Sequence, residues 1–218
     1  MVYIYSASYF MQVALGHICA PENKNKINYI ANVDDVNTSA DKDSADYIIM
    51  DIPPRLAVPW IYKIRCQYPA LPIIFTQRSF LFSDRIVAEY FGSIWLLEYD
   101  AALSAYPLET PLALIADNAF SGPYCAGVMR DQGTIASISE GSLKECLNAL
   151  LRARLTGVIS SSRIREVVMD WLVQGFTPGE TSRQIQISDK VVYLYRRIAM
   201  KAIGAGSITR DFISSLKI

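Results

Sequence analysis

The chain has 218 residues, 51% hydrophobic and 19% charged, so a disordered polar chain is excluded and a sizeable core can be buried. Its 21 Lys and Arg balance 21 Asp and Glu, so overall charge predicts no polyanion partner. The balance is uneven, however. Residues 1–150 carry 10 basic and 16 acidic side chains, and residues 151–218 carry 11 basic and 5 acidic. Such a division reads either as an acidic domain joined to a basic, nucleic-acid-seeking one or as chance segregation of surface charge.

Residues 1–21 hold no Lys, Arg, Asp or Glu. They lack the basic start of a signal peptide, and Ser6, Ser8, Gln12 and His17 interrupt the run. The pattern predicts strand Val2–Ser6 and helix Ser8–Ala20, with His17 packed on the helix. Further strands are predicted at Asn28–Val33, Tyr47–Met50, Ile73–Thr76 and Ile94–Leu97, and helices at Trp60–Cys66 and Asp84–Phe91. Wholly apolar strands alternating with helices predict a parallel sheet covered on both faces. Residues 106–135, with Pro107, Pro111, Gly122, Pro123 and Gly127, follow no clear pattern. A helix over Leu143–Leu155 precedes the serine-rich joint Gly157–Ser162. The division expected is therefore an α/β domain over 1–156, a linker over 157–163 and an all-α four-helix domain over 164–218. Cys19, Cys66, Cys125 and Cys146 are widely spaced, with no Cys-x-x-Cys pair, and read as free thiols of a reducing cytoplasm rather than zinc ligands. No apolar run is long enough to span a bilayer.

After the joint, Val168, Met169, Trp171 and Leu172 form an apolar helical face closed by Gly175. Thr177, Pro178 and Glu180 have the spacing of a capping box opening a short helix to about Ile185. Gln186-Ile187 makes a tight connection to Ser188, which can N-cap a longer helix over Asp189–Ile203. Gly204 would end it, before a last helix over Ile208–Leu216. At 100° per residue, Val192, Tyr195, Ala199, Ala202 and Ile203 share one side of the long helix. Lys190, Leu194, Arg197 and Lys201 share the other, with Tyr193 at its edge. A short helix, a tight turn and a longer helix with a cationic outer face is the layout of a DNA-reading helix-turn-helix, the alternative being an ordinary amphipathic helix with a solvated basic stripe.

At these residues the sequence resembles the LuxR/FixJ-type (NarL-like) DNA-binding domain. The resemblance is carried by Val168, Leu172, Gly175, Glu180, Ile185, Ile187, Ser188, Lys190, Val192, Arg196, Ile203 and Gly204. It implies base reading by Tyr193, Leu194 and Arg197, phosphate contacts by Lys190, Arg196 and Lys201, and a place for Ser188 in the same DNA-contacting set. Four positions depart from the family: Ile164-Arg165 replaces its Arg-Glu pair, Ser182 its Ala, Val191 its Thr and Tyr195 its His.

In the first half, Asp51 ends an apolar strand before Pro53 and Pro54, and Thr76 ends the next. This resembles a response-regulator receiver domain, where such residues accept and sense a phosphoryl group. That chemistry needs an acidic pair after the first strand for Mg²⁺ and a lysine after the fifth. Tyr5, Ser6 and Ala7 occupy the first place. The second falls on Glu98 if the fifth strand is Ile94–Leu97, or near Ser137 or Ser139 if it is Thr134–Ile138. Asp34 and Asp35 are poorly placed to substitute. The expectation is a pseudo-receiver with no cofactor and no enzymatic activity, in which Asp51 and Thr76 are a vestigial phosphoacceptor and its neighbour, Thr76 capping a loop. The domain order resembles the atypical RcsA/BglJ/RcsB regulators.

These readings imply a dimeric cytoplasmic transcription regulator. Its partners would be double-stranded promoter DNA, a second copy or a related response regulator, and RNA polymerase, with no membrane. Three rival readings are a regulator switched by phosphorylation of Asp51, an adaptor acting mainly through heterodimers, and a small-molecule sensor using Tyr106–Thr134.

Overall fold

The computed structural model describes residues 1–19, 27–32, 35, 46–106, 140–172 and 176–203. Residues 107–139, Asp34, Gly175, Gly204, the alternative fifth strand 134–138 and the expected last helix 208–216 lie outside the described residues. By internal contacts the chain divides into two units, 1–80 with 87–138 and 81–86 with 139–218.

The first unit is built on a five-stranded sheet ordered β2-β1-β3-β4-β5. Its strands are β1 (Val2–Ser6), β2 (Ile27–Ile30), β3 (Tyr47–Asp51), β4 (Ile73–Gln77) and β5 (Ile94–Glu98), all paired in parallel. Successive side chains of a strand leave opposite faces. Here both sets are apolar: Ile4, Ile49 and Ile74 are 0–2% exposed, and so are Tyr3, Ile48, Met50 and Phe75. Burial on both faces explains why these strands read as continuous apolar runs rather than alternating ones. One face packs Val2, Ile4, Ile49, Ile74 and Leu97 against Leu15 of α1 (Tyr9–Cys19) and Ala102 of α4 (Tyr99–Ala105). Between the strands run α2 (Val58–Gln67) and α3 (Phe82–Phe91). His17, expected to pack, is exposed on α1.

The sheet is fastened where β4 and β5 begin. Arg65 of α2 is 1% exposed, and its guanidinium donates to the carbonyls of Leu71 at 2.6 Å, Gly92 at 2.8 Å and Ser93 at 2.9 Å. Burial pushes its pKa down to about 10, so it stays a cation at neutral pH. Gly92 and Ser93 both take positive φ, 65° and 48°, which turns their carbonyls into this fork.

The second unit contains α5 (Glu140–Val158), α6 (Ser162–Leu172), α7 (Pro178–Ile185) and α8 (Asp189–Ala202). Helix α5 runs through Gly157 and Val158, into the serine-rich joint. Leu151, Leu155, Ile159, Ile164, Val168, Met169, Trp171, Ala199 and Met200 form one buried cluster.

Candidate functional site

Two places gather polar or charged groups on rigid elements. The first is the end of the sheet where β1, β3, β4 and β5 stop. Strand order reverses between β1 and β3, and the crevice at such a point is where open α/β sheets bind ligands. The register pairs Ser6 with Asp51 there. Ser6 Oγ donates to Asp51 Oδ2 at 2.6 Å, and Gln77 Nε2 donates to Oδ1 at 3.2 Å. The Tyr99 hydroxyl, at the start of α4, also donates to Oδ1. Ser6 Oγ in turn accepts from Ser8 N–H at 3.1 Å. Burial, then the hydrogen bond to Asp51 and its negative charge, push the Tyr99 phenol above its ordinary range.

The Asp51 carboxylate thus receives three neutral donors from three elements, and no Lys or Arg pairs with it among the described residues. Ser6 stands where a metal-binding acid would be needed. With β5 at Ile94–Glu98, Glu98 exposes its side chain and Tyr99 fills the inward place next to it. The described residues contain no cluster of three groups able to hold a metal ion. Asp35 accepts from the N–H groups of Ala31 and Asn32 at 3.2 and 2.8 Å.

Thr76 does not cap a loop. It lies inside β4 fully buried, its hydroxyl without a hydrogen-bond partner, while Gln77, the last residue of the strand, is the one whose side chain reaches Asp51. Gln77 and Tyr99 were missed in the sequence. Gln77 could have been found by extending β4 one residue, whereas Tyr99 carries no local signal.

The second place is α8. The Thr177 capping box is complete: Glu180 N–H donates to Thr177 Oγ1 at 3.3 Å, and Thr177 N–H donates to Glu180 Oε2 at 2.7 Å. The hydrogen bonds from Thr177 hold the Glu180 carboxyl below its ordinary range. Helix α7 ends at Gln186, in the left-handed region with φ 57° and ψ 47°, and its N–H closes back on the Ser182 carbonyl. Ser188 occupies the N-cap of α8 but makes no side-chain cap bond; only its backbone carbonyl is used, by Val191 and Val192.

On α8, Val192, Ala199 and Met200 are buried, with Tyr195 and Ile203 partly so. Ala202, expected inside, is exposed, and Met200 takes the inner position instead. Lys190, Tyr193, Leu194, Arg197 and Lys201 are all exposed on the outer face. Arg196 is not among them. It is 6% exposed, and its guanidinium lies 3.5 Å from the centroid of the Trp171 ring on α6. The phosphate-contact role that the family resemblance implies for Arg196 is therefore corrected. The reason is periodicity: four residues beyond Val192, it falls on the packed side. Burial lowers its pKa to about 10, so it remains a cation pressed on an indole face.

No family model matches the chain, and no curated protein does. Solved structures that resemble it include two response regulators. One is full-length FixJ from B. japonicum, at 18% identity over 95% of this chain and 91% of that one, with a TM-score of 0.35. The other is the response regulator StyR, at 11% identity over 95% and 93%, also with a TM-score of 0.35. Likeness of this depth carries no functional argument, so function rests on the geometry of the two sites.

Proposed function

We propose that the chain is a DNA-binding transcription regulator whose α8 enters the major groove and whose N-terminal unit is a pseudo-receiver that works without phosphorylation. One observation carries this reading: the second of two helices joined by a tight turn exposes Lys190, Arg197 and Lys201 on one face and anchors the opposite face in a core. An α-helix fits the major groove, where cations hold phosphates and a few side chains read base edges. The saturated Asp51 supports independence from phosphorylation. An acceptor carboxylate needs a divalent ion to neutralise the crowding phosphoryl oxygens, and Ser6 and Tyr99 offer none of that charge. Dimerisation through the N-terminal units would place two copies of α8 on half-sites one helical turn apart. Such a dimer, with itself or with a related response regulator, acts on promoters in contact with RNA polymerase.

The test is selection of bound duplexes from a random pool by the full-length chain. Enrichment of a pseudo-palindrome is expected. On the enriched site Arg197→Ala should cost about 1–3 kcal/mol and relax preference at one position, and Lys190→Ala should weaken all sites and lower the salt slope by about 1. Absence of any enriched motif, alone or with a related regulator added, overturns the reading.

A further inference from the structure

A cavity of about 220 Å³ lies between α5 and α6 of the second unit and shares no residue with the two sites above. Arg165, Glu166, Met169 and Asp170 line it from one face of α6, at helical spacing. Arg152 and Leu155 line it from α5. Leu155 is fully buried and Met169 nearly so, which gives the cavity an apolar floor. Four lining side chains are charged, two of each sign. Arg165 is already committed, because its guanidinium donates to the carbonyls of Ile159 at 2.7 Å and Ser160 at 2.9 Å. Asp170 is not. It is 7% exposed, and among the described residues no hydrogen bond or ion pair holds its carboxylate. Glu166, one turn away on the same face, repels it; Arg152 attracts it without reaching contact.

We propose that this cavity binds a free α-amino acid with an apolar side chain: Asp170 and Glu166 take its ammonium group, Arg152 its carboxylate, and Leu155 and Met169 its side chain. A carboxylate withdrawn from water with no donor costs stability. An ammonium entering the cavity offsets that cost with a charge-assisted hydrogen bond. A bare amine gains less, because Arg152 repels it. A ligand that carries a carboxylate on the adjacent carbon turns that repulsion into a second ion pair. The gap between Asp170 and Arg152, too wide for contact and narrow enough for each to feel the other, suits a group bearing both charges on one carbon. The apolar floor leaves no partner for a polar side chain, so the ligand's own side chain is aliphatic or aromatic. The volume falls below the roughly 300–1,000 Å³ of sites for drug-sized ligands, which restricts the occupant to a small metabolite.

The experiment is calorimetric titration of the full-length chain with leucine and phenylalanine and with their truncated analogues. Isoamylamine and phenethylamine lack the carboxylate; 4-methylpentanoate and 3-phenylpropanoate lack the ammonium. At least one amino acid should bind saturably, with a Kd of about 1 mM or tighter. Its amine and its acid should each bind about tenfold more weakly, the worth of one charge-assisted contact. Asp170→Asn keeps the shape of the side chain and removes an unpaired buried charge, so it should melt no lower than the parent while losing about tenfold in affinity. Arg152→Gln, at an exposed position of α5, should weaken the amino acid and leave its amine unaffected or tighter. If neither amino acid binds, if the amine binds as tightly as the amino acid, or if both variants bind as the parent does, the inference is overturned. No DNA enters these titrations, so their failure leaves the DNA-binding reading standing.

Discussion

Tyr99→Phe deletes one donor from the Asp51 carboxylate and nothing from the core. It should cost about 1.5 kcal/mol, the lower end for a hydrogen bond to a charged group, read as a lowered denaturant midpoint at unchanged slope. The phenol's pKa is raised on folding. Its contribution is therefore full below the ordinary phenol value near 10 and is lost as pH rises through the higher folded value. The parent should lose stability at alkaline pH faster than Tyr99→Phe, and the two curves should converge there. Incubation with acetyl phosphate and Mg²⁺ should leave the intact mass unchanged; a phosphoryl adduct on Asp51 would mean that the neutral donors do not block it. That Asp51 ends a strand is plain from Tyr47–Met50 and the following prolines. That Tyr99 closes over it is not, because the contact joins residues 48 positions apart and depends on where β5 lies. Arg196 shows the opposite case. The spacing from Val192 places it inside, but a family pattern that expects a cation there pulls the reading outward.

Helix ends are the most legible elements of this chain. Thr177, Pro178 and Glu180 state a capping box, and the box is present. Thr177→Ala should lower stability by about 1 kcal/mol at neutral pH. Glu180 is held below its ordinary carboxyl range, so its share is present above pH 4.5 and is lost as pH falls through the folded value. Thermal melts at pH 6 and pH 3 should show a smaller penalty for Thr177→Ala at the lower pH. Ser188 is a weaker case, since an N-cap residue type predicts the helix start without guaranteeing the side-chain bond. On α6, Asp170 is 7% exposed, and burial together with the neighbouring Glu166 raises its pKa, against a smaller opposing effect of Arg152. A raised carboxyl favours folding below its unfolded value and loses that contribution as pH rises through the folded value, so at neutral pH it opposes folding. Asp170→Asn should raise the melting temperature at pH 7, and the gain should shrink on acidification.

At the scale of the whole chain, two separate signals divide the molecule: strands that are apolar throughout, then helices with one cationic face. The parallel α/β architecture was legible because burial on both sheet faces leaves no alternation to misread. The strand order was not legible, because local patterning does not say which strands are neighbours. The charge division has a measurable consequence under the proposed function. Affinity for duplex DNA should fall steeply between 50 and 200 mM salt, with a slope of about −0.9 per phosphate contacted, and the Lys190→Ala and Lys201→Ala slopes should each be shallower. Sedimentation at micromolar concentration should show a dimer whose dissociation lowers apparent affinity more than either cation does. Finally, the two rims of the sheet are held by unlike means. Below, one guanidinium that no physiological pH can discharge grips the chain ahead of both β4 and β5. Above, two hydroxyls and an amide share one carboxylate, each replaceable singly. On heating, amide exchange is therefore expected to rise first around Asp51 at the upper rim, while the amides beside Leu71, Gly92 and Ser93 stay protected by the Arg65 fork.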